Sequence, residues 1–555
     1  MQKCKFTRLA IGLLAVLLIA SCKKSSAPEH SKLIPKNAGI VFKVDMKSLT
    51  SKTISLQELV SEENLKQMGQ DSEEAKKTSK TAKKFLDSGI DLLNSAYVFV
   101  TDIDKDNVTG GLTFALDNEE KFLKFLKDEA FWQEVGEKKP EINDKEKIKI
   151  ATFSNGNKIA WQGKVAILRS EKPSDDDMKK FFSLKDSEQL VSNASFKDAL
   201  NKNYDILMWI DADQAAKAGT QGDMQATAAL SMVADTKDTY MVLGFNFEKG
   251  KITASIDYSG NEVMQKMNDQ IARNSISNDL VKNIPFAEAS TGFSIALNLE
   301  GIWKYLQEKG LAGEVDNSLK DIGLSGDLLS KALTGEIFGV TEKVNFDAKL
   351  FAQELPVEFV ISLGIKDKAA FDEAMNKLNN QAKGSIRKNG DNYEFPQGFG
   401  GIAVKKNVAY ITLSKSFFEA INKGESKLKG DLVDKATSFA SAIYVGKPFF
   451  DALVNSKNYK SSAFGEVYGS NFPFESIIFT SDKVKNKKNQ TLITITMTDK
   501  NKNSLMVLAD MAKKADEIRK KEMERFEKEY NVEEGFPESG NMPKIQENEK
   551  VLEDK

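Results

Sequence analysis

One phrase of the sequence occurs twice, and this repeat constrains the fold more than any other feature. Ile34-Pro35 is followed by an apolar stretch (GIVFKVD) and then by a helix-like stretch (MKSLTSK). Ile284-Pro285, at a spacing of 250 residues (from 34 to 284), is followed by GFSIALN and LEGIWKYLQE. Self-similarity at a fixed spacing is typical of a repeated architecture. The chain is therefore predicted to contain two copies of one folding unit.

The elements after this phrase also recur in the same order. In each half a strand leads into a helix, three short strands come next, and another helix follows. Each half then continues with a strand that turns into a helix and closes with a hairpin, at residues 239–259 and 475–499. The alternation of apolar and polar residues in these hairpins indicates strands with one buried face. Equivalent positions such as Asp45 and Asn298 are expected to cap equivalent helices.

This order predicts an α+β fold with two duplicated halves, each a mostly antiparallel sheet with helices packed on one face, plus a C-terminal charged helix. The predicted repeats cover residues 34–261 and 284–502, with a polar helix-like stretch between them. Residues 503–555 are predicted to be a charged helix followed by a disordered tail. Two unrelated α+β domains with a similar order of elements are the alternative.

The N-terminus has the three parts of a bacterial export signal. A basic start is followed by an apolar run at residues 9–20, which is shorter than the roughly 20 residues that span a bilayer. The run ends in small residues directly before Cys22. We therefore predict a lipoprotein signal peptide at residues 1–21, a lipid on the sulfur of Cys22, and a tether at residues 22–33.

Composition excludes several classes of function. Once the signal leaves with Lys3, Lys5 and Arg8, 76 basic residues face 81 acidic ones, a net charge of −5, which disfavours nucleic acid as a partner. The two cysteines are Cys4 in the signal and the lipidated Cys22, so no disulfide or cysteine metal site is expected. The single histidine, His30, lies in the predicted tether, which excludes Ser-His-Asp catalysis and histidine-ligated metals from the body.

The lipoprotein signal, the phrase IPKNAGIVFKVDMKSL and the duplicated plan resemble a family of large uncharacterised lipoproteins from Gram-negative anaerobic gut bacteria. That family is classed only as a domain of unknown function. The resemblance implies lipidation at Cys22 and offers no catalytic residues. Surface-exposed lipoproteins of this kind would carry acidic residues after the lipid, whereas Lys23 and Lys24 stand there. We therefore predict the outer membrane, with the body facing the periplasm.

Several short motifs suggest sites, but each has a simpler structural interpretation. The run from Asp102 to Asp106 resembles the start of a calcium loop, yet Thr113 stands where the loop needs a glutamate, so a hairpin turn is favoured. Ser385/Lys388 and Ser426/Lys429 have the Ser-x-x-Lys spacing but lie in polar turns. The glycine-rich stretch 396–401 joins two strands and is interpreted as a turn.

Aromatic and acidic residues leave two further possibilities. The four tryptophans, at positions 132, 161, 209 and 303, could form a platform for sugars, although their apolar surroundings favour core packing. Asp211 and Asp213 could serve a glycosidase, although capping of a helix explains them better. The stretch 218–230 has no counterpart in the second half and is a candidate mobile loop.

No catalytic, cofactor or metal site is therefore predicted. The favoured function is a non-enzymatic, lipid-anchored envelope protein that binds a partner protein or a glycan, for which exposed helices and sheet edges offer surfaces. The alternative is a hydrolase of glycan or peptidoglycan that uses only carboxylates. The two differ in whether two carboxyl groups converge in one cleft, about 5–10 Å apart.

Overall fold

The structure, a computed structural model, describes residues 27–53, 56–67, 72–103, 108–219, 236–348 and 357–530. The predicted signal peptide, Cys22 and the tail after residue 530 lie outside these ranges. The described chain is a mixture of helices and antiparallel strands, which confirms the predicted α+β class. Within the described residues, no helix is long and apolar enough to cross a membrane.

In the described residues of the first half there are ten strands, all paired antiparallel. Their order across the sheet is β4-β5-β6-β7-β3-β2-β1-β8-β9-β10. The strands are β1 (Ile40–Val44), β2 (Ala96–Ile103), β3 (Val108–Ala115), β4 (Glu141–Asn143), β5 (Lys149–Thr152), β6 (Lys158–Gln162), β7 (Val165–Arg169), β8 (Ile206–Asp211), β9 (Tyr240–Glu248) and β10 (Lys251–Ser259).

The second half repeats this arrangement strand for strand. Its order is β14-β15-β16-β17-β13-β12-β11-β18-β19-β20, again antiparallel throughout. Each strand number is ten higher than that of its counterpart, so the predicted duplication of the strand order is confirmed. The strands are β11 (Thr291–Ala296), β12 (Leu333–Val344), β13 (Val357–Ile365), β14 (Arg387–Asn389), β15 (Asn392–Glu394), β16 (Gly401–Lys405), β17 (Val408–Thr412), β18 (Ser441–Val445), β19 (Phe474–Ser481) and β20 (Lys488–Met497).

The last strands of the two halves pair with each other and join them into one sheet of 20 strands. β10 and β20 run antiparallel, with Lys251 opposite Thr496 at one end and Ser259 opposite Lys488 at the other. Antiparallel pairing of equivalent strands is the arrangement expected for two copies related by a two-fold axis. The exact repeat boundaries, 34–261 and 284–502, remain predictions.

Helices fill the connections between the strands. In the first half they are α1 (Met46–Ser51), α2 (Leu56–Leu59), α3 (Glu62–Gln67), α4 (Ser72–Leu86), α5 (Glu119–Leu126), α6 (Glu129–Glu134), α7 (Asp175–Lys180), α8 (Ala194–Leu200) and α9 (Ala212–Gly219). Next come α10 (Glu262–Ile271), α11 (Leu299–Glu308), α12 (Ala312–Lys320), α13 (Gly326–Ala332), α14 (Lys368–Gln381), α15 (Lys415–Asn422), α16 (Asp431–Ala436), α17 (Lys447–Asn455), α18 (Lys457–Lys460), α19 (Ala463–Tyr468) and α20 (Ser504–Tyr530).

The structure adds that the first-half sheet is covered on both faces. On one face Phe122 of α5 packs edge-on against Trp161, in a cluster that also holds Val44 and Leu112. On the other face Phe196 of α8 packs against Trp209, in a separate cluster. Successive side chains of a strand point to opposite faces of the sheet. Because both faces are covered here, these strands bury the side chains of both faces, and their sequences are apolar runs.

The folded body begins earlier than predicted and ends in the predicted helix. The predicted tether extends to residue 33, but Glu29–Leu33 form a 3-10 helix and the side chain of His30 is buried. The body therefore begins before the Ile34-Pro35 phrase, because Leu33 and the His30 ring pack against it. At the other end the predicted charged helix is present as α20, and its Ile518 is buried against α19.

The free edges of the sheet are short. β4 and β14 are its outermost strands, and each is three residues long. Glu141, Arg387 and Lys388 place charges on these edges. Short, charged edges resist pairing with a further strand. A binding site is therefore better sought near the middle of the sheet, where the two halves meet.

Candidate functional site

The tryptophans do not form an exposed platform. Trp132, Trp161, Trp209 and Trp303 are all at least nine-tenths buried, which confirms the interpretation as core residues. Asp211 also has the simpler of its two roles. Its Oδ1 accepts hydrogen bonds from the backbone N–H groups of Asp213 and Gln214, at 3.0 and 3.2 Å, and so caps α9.

The Ser-x-x-Lys pair at Ser385 has no catalytic arrangement. Ser385 Oγ donates to the carbonyl of Ala382 at 2.6 Å, while Lys388 Nζ lies 3.0 Å from a carboxylate oxygen of Asp372. Lys388 is thus engaged by Asp372 instead of activating the serine. Ser426 and Lys429 lie in the segment between α15 and α16, outside any helix start. Ser385, Ser426 and Lys429 lie in connections, as predicted, whereas Lys388 lies in the strand β14, so the predicted turn position is wrong for that residue.

Three further motifs fall at connections. Asp102 lies in β2 opposite Thr109 of β3, so strands flank the calcium-like run, and residues 104–107 lie outside the described part of the chain. The glycine-rich stretch contains the 3-10 turn Pro396–Gly398, which joins β15 to β16. Of the stretch 218–230, residues from 220 onward lie outside the described residues. Within the described ranges, no group of three or more histidine, cysteine or acidic side chains is placed to hold a metal.

A cleft with a volume of about 850 Å³ lies where the two halves join. Its floor is one face of β9, β10 and β20, where Tyr240 lies opposite Ser259, and Val242 lies opposite Asp257. Lys488 and Gln490 of β20 continue these two rows. One wall runs from Ser192 through α8 to Lys202, and the other is the connection between β19 and β20. We call this space the junction cleft.

Asp257 is the most highly coordinated side chain of the junction cleft. Its Oδ2 lies 2.6 Å from Lys202 Nζ and accepts a hydrogen bond from Tyr204 Oη at 2.8 Å. Its Oδ1 accepts a hydrogen bond from Gln490 Nε2 at 2.8 Å. Lys202 and Tyr204 come from the connection between α8 and β8, and Gln490 comes from the other half of the molecule. The carboxylate therefore links both halves through charge-assisted bonds.

The environment of Asp257 keeps it ionised. Burial by itself raises the pKa of this carboxyl, but the hydrogen bonds from Lys202, Tyr204 and Gln490 outweigh burial and leave the pKa below its usual value. Burial is also the main reason why the pKa of Tyr204 is raised to about 12, with the bond to Asp257 adding to it. Asp257 is thus an acceptor and a fixed negative charge at neutral pH.

Trp209 fixes the aromatic side chain of the cleft floor, Tyr240. The ring of Tyr240 is stacked on that of Trp209, with centroids 5.5 Å apart and planes 22° apart. Trp209 is fixed in turn by Phe196 and by a hydrogen bond from its Nε1 to Ser195 Oγ at 3.3 Å. Since Tyr240 also lines the junction cleft, it presents a rigid ring to a bound molecule.

Charges of both signs surround this floor. Lys488 lies 3.6 Å from Asp198 across the cleft, and Lys483 lies 3.4 Å from Asp269 outside it. Lys36 and Lys485, with Asp238 and Asp482, complete the charged lining. Together the lining holds five lysines and four aspartates, so the junction cleft has little net charge.

Sequence reasoning did not identify the residues of the junction cleft. Lys202, Tyr204 and Asp257 lie in the first half, whereas Gln490 lies 233 residues after Asp257. The pairing of β10 with β20 brings them together, and no local pattern indicates that pairing. The one available signal is the acidic Asp257 on an inward-facing row of a predicted hairpin, since a buried polar group requires partners.

One predicted equivalence holds only in position. Asp45 precedes α1, and its side chain accepts a hydrogen bond from the N–H of Ser48 at 3.0 Å. Asn298 precedes α11 but makes no capping bond, so the predicted shared capping role is wrong. Its Nδ2 instead donates to the carbonyl of Gln270 at 2.9 Å, because the end of α10 lies beside it.

The fold and the junction cleft define a duplicated α+β protein in which one ionised aspartate bonds to side chains of both halves. Residues 30–423 match the profile of a family described as a domain of unknown function, DUF4836. This match covers more than half of the chain, and the chain belongs to that family. The predicted resemblance to a domain of unknown function is confirmed at this level.

Other comparisons add little. No curated protein matches the sequence. Two solved structures, of crystal forms I and IV of the protein TP0453, share 11% and 9% identity with this chain. They cover 43% and 46% of this chain and 81% and 88% of their own, with TM-scores of 0.23 and 0.24.

Proposed function

We propose that the chain is a lipid-anchored envelope protein that binds a polar ligand in the junction cleft and does not hydrolyse it. The observation that carries the proposal is the state of Asp257. A glycosidase needs a carboxylic acid that gives up a proton, and such acids have raised pKa values. The pKa of Asp257 is lowered and both of its oxygens are engaged, which suits a fixed binding group.

One observation favours the alternative of a carboxylate-dependent hydrolase. Asp198, Asp238, Asp257 and Asp482 line the same cleft, as the alternative requires. A test must therefore compare turnover with binding. We would incubate residues 23–555 with purified envelope glycan and peptidoglycan, and measure released reducing ends and peptides. The expected result is no release above that of a buffer blank.

The matched variants are Asp257→Asn and Asp451→Asn. Asp451 pairs with Lys447 on the exposed surface of α17, so its loss is a control for charge removal. Release of sugar or peptide by the wild type that disappears in Asp257→Asn, with an unchanged circular dichroism spectrum and normal release by Asp451→Asn, would establish the hydrolase instead. For the binding function, photo-crosslinking from position 485 in cells should trap a defined partner or glycan.

The anchor is part of the same proposal and rests on the sequence before the described residues. Small residues directly before Cys22 support cleavage there and attachment of a lipid to its sulfur. Labelling of cells with an alkyne fatty acid should mark the wild type and not Cys22→Ala. Equal labelling of the two proteins would refute lipidation at this position.

The proposed location is the outer membrane, with the body facing the periplasm. Lys23 and Lys24, without an acidic pair after Cys22, support this orientation. An externally added protease should therefore cleave the protein only after the outer membrane has been permeabilised. Cleavage on intact cells would place the body on the cell surface, whereas recovery in the inner membrane fraction would refute the sorting.

A further inference from the structure

We infer that the junction cleft binds an uncharged oligosaccharide, with Tyr240 as its stacking surface. This inference rests on the proposed binding function. It starts from Tyr240 and Val242 on the floor, and from Ala194 and Ala199 of α8, which add small apolar side chains to the lining of the cleft. The C–H face of a sugar ring packs against such a flat apolar surface, because the electron-rich face of an aromatic ring attracts polarised C–H groups.

Preorganisation supports a stacking role for Tyr240. Stacking on the fully buried Trp209 fixes the plane of the Tyr240 ring before any ligand arrives. A ring that is already ordered loses little conformational entropy on binding. The same contact explains why the buried tryptophans can matter for a glycan without touching it: Trp209 holds the ring that lines the junction cleft.

The polar groups around the floor match hydroxyl groups. The lining includes serine hydroxyls, amides and an amine from the floor and from both walls, contributed by Ser192, Ser259, Asn489, Gln490 and Lys485. Gln490 uses its Nε2 on Asp257, which leaves the orientation of its amide fixed and its oxygen available as an acceptor. Ligand sites of this kind combine an apolar surface with a few placed polar groups.

The charge balance decides against an ionic ligand. Of the five lysines, Lys202 and Lys488 pair with aspartates of the cleft and Lys483 pairs with an aspartate outside it. Within the described part of the chain, Lys36 and Lys485 then remain without an ion pair, as do the two acidic residues Asp238 and Asp482. Two unpaired charges of each sign give no preference for an anion or a cation. Both signs can bond to sugar hydroxyls, which donate and accept.

The test measures binding of defined probes to residues 23–555 by saturation-transfer NMR and calorimetry. The probes are uncharged tetrasaccharides of glucose, of mannose and of N-acetylglucosamine, together with a galacturonate tetramer and an alanine tetrapeptide. We expect at least one uncharged tetrasaccharide to bind. We expect Tyr240→Ala to raise its Kd at least tenfold and Gln490→Ala to raise it at least threefold.

Two variants control for structure. Tyr240→Phe keeps the ring on Trp209 and should leave the Kd within twofold of the wild type. Tyr305→Ala removes a half-buried tyrosine on α11, far along the chain and outside the cleft lining, and should have no effect. If the near-ultraviolet circular dichroism of Tyr240→Ala shows that its tertiary structure is lost, the Kd measured for Gln490→Ala, a change at an exposed side chain, still decides the inference.

The outcomes separate the inference from the function on which it rests. If galacturonate or the peptide binds and no uncharged saccharide does, the inferred saccharide ligand is overturned, whereas the proposed binding function of the junction cleft stands. Absence of binding for every probe would also overturn the inference. New reducing-end signals that appear during the NMR experiment would instead overturn the binding function itself, because they would show hydrolysis.

Discussion

The two halves share a strand order but differ in the connection that closes each of them. β9 and β10 are joined by two residues, Lys249 and Gly250, whereas six residues, 482–487, join β19 to β20. Because β10 and β20 are antiparallel, the two connections lie at opposite ends of their shared ladder. The long connection forms a wall of the junction cleft, and the short one is tied to Lys502 by the N–H of Gly250. The sheet is thus common to both copies, while the long connection of the second half places the junction cleft at one end of the shared ladder.

A second difference lies in how the halves cover the same face of the sheet. Ile206 of β8 and Ile443 of β18 stand in one cross-strand row that passes through Phe245, Ala254, Ile493 and Phe479. Ile206 packs against the core of the first half, whereas the side chain of Ile443 is 52% exposed. Two isoleucines of the same row and face therefore differ in burial between the two halves.

The largest expected effect comes from Asp205, which the first half has and the second lacks. Asp205 directly precedes β8 and is buried, and Lys52 Nζ lies 2.6 Å from both of its oxygens. It also accepts a hydrogen bond from the N–H of Phe247 at 2.7 Å. Ala440 directly precedes β18 in the second half. Since the variant leaves buried partners unpaired, Asp205→Ala should lower the free energy of unfolding by about 3–4 kcal/mol.

Urea denaturation of residues 23–555 measures this loss. Asp451→Ala, which breaks the exposed pair with Lys447, serves as the control and should cost less than about 0.5 kcal/mol. A loss for Asp205→Ala as small as that of the control would show that the first half does not depend on this buried carboxylate.

The repeat made much of the fold predictable, and the junction cleft was not. Strand order and helix positions follow from local alternation and from the recurrence of the Ile-Pro phrase, in which both Ile34 and Ile284 are fully buried. The contact of Asp257 with Gln490 depends on a pairing between strands more than 200 residues apart, which no local pattern encodes. Asn298 shows the intermediate case: its position was predictable, but its hydrogen bond depends on where α10 ends.

The next effect concerns the residues four positions before each Ile-Pro phrase, His30 and Leu280, which are both buried. Burial lowers the pKa of His30 from 6.5 to about 4, although a hydrogen bond with the carbonyl of Ser95 opposes the shift. The unfolded chain therefore takes up a proton below pH 6.5 while the folded chain stays neutral down to about pH 4. The stabilisation from the neutral His30 is fully present above pH 6.5 and decreases as the pH falls towards 4. The total loss in the free energy of unfolding is about 3 kcal/mol.

His30→Leu copies the second half and should abolish this part of the pH dependence. Urea denaturation between pH 7 and pH 4 (about the window given above) compares the variant with the wild type. Titration of the carboxylates also makes the stability of both proteins depend on pH. The quantity to measure is therefore the difference between the two curves of unfolding free energy against pH. Parallel curves for His30→Leu and wild type would show that burial of the His30 imidazole does not contribute to the pH dependence of stability.

The smallest effect tests the two isoleucines of the shared row. Ile206→Ala removes methyl groups from the partly buried edge of the first-half core and should cost about 2 kcal/mol, the lower end for such truncations. Ile443→Ala removes the same atoms from a half-exposed position and should cost less than about 0.5 kcal/mol. Since the residues have the same identity, row and face, a difference between the two losses of stability reports their different burial. Equal losses of stability, measured by urea denaturation, would mean that Ile443 is covered in solution, either by another part of the chain or by a second molecule. A loss for Ile443→Ala that grows with protein concentration would indicate the second molecule.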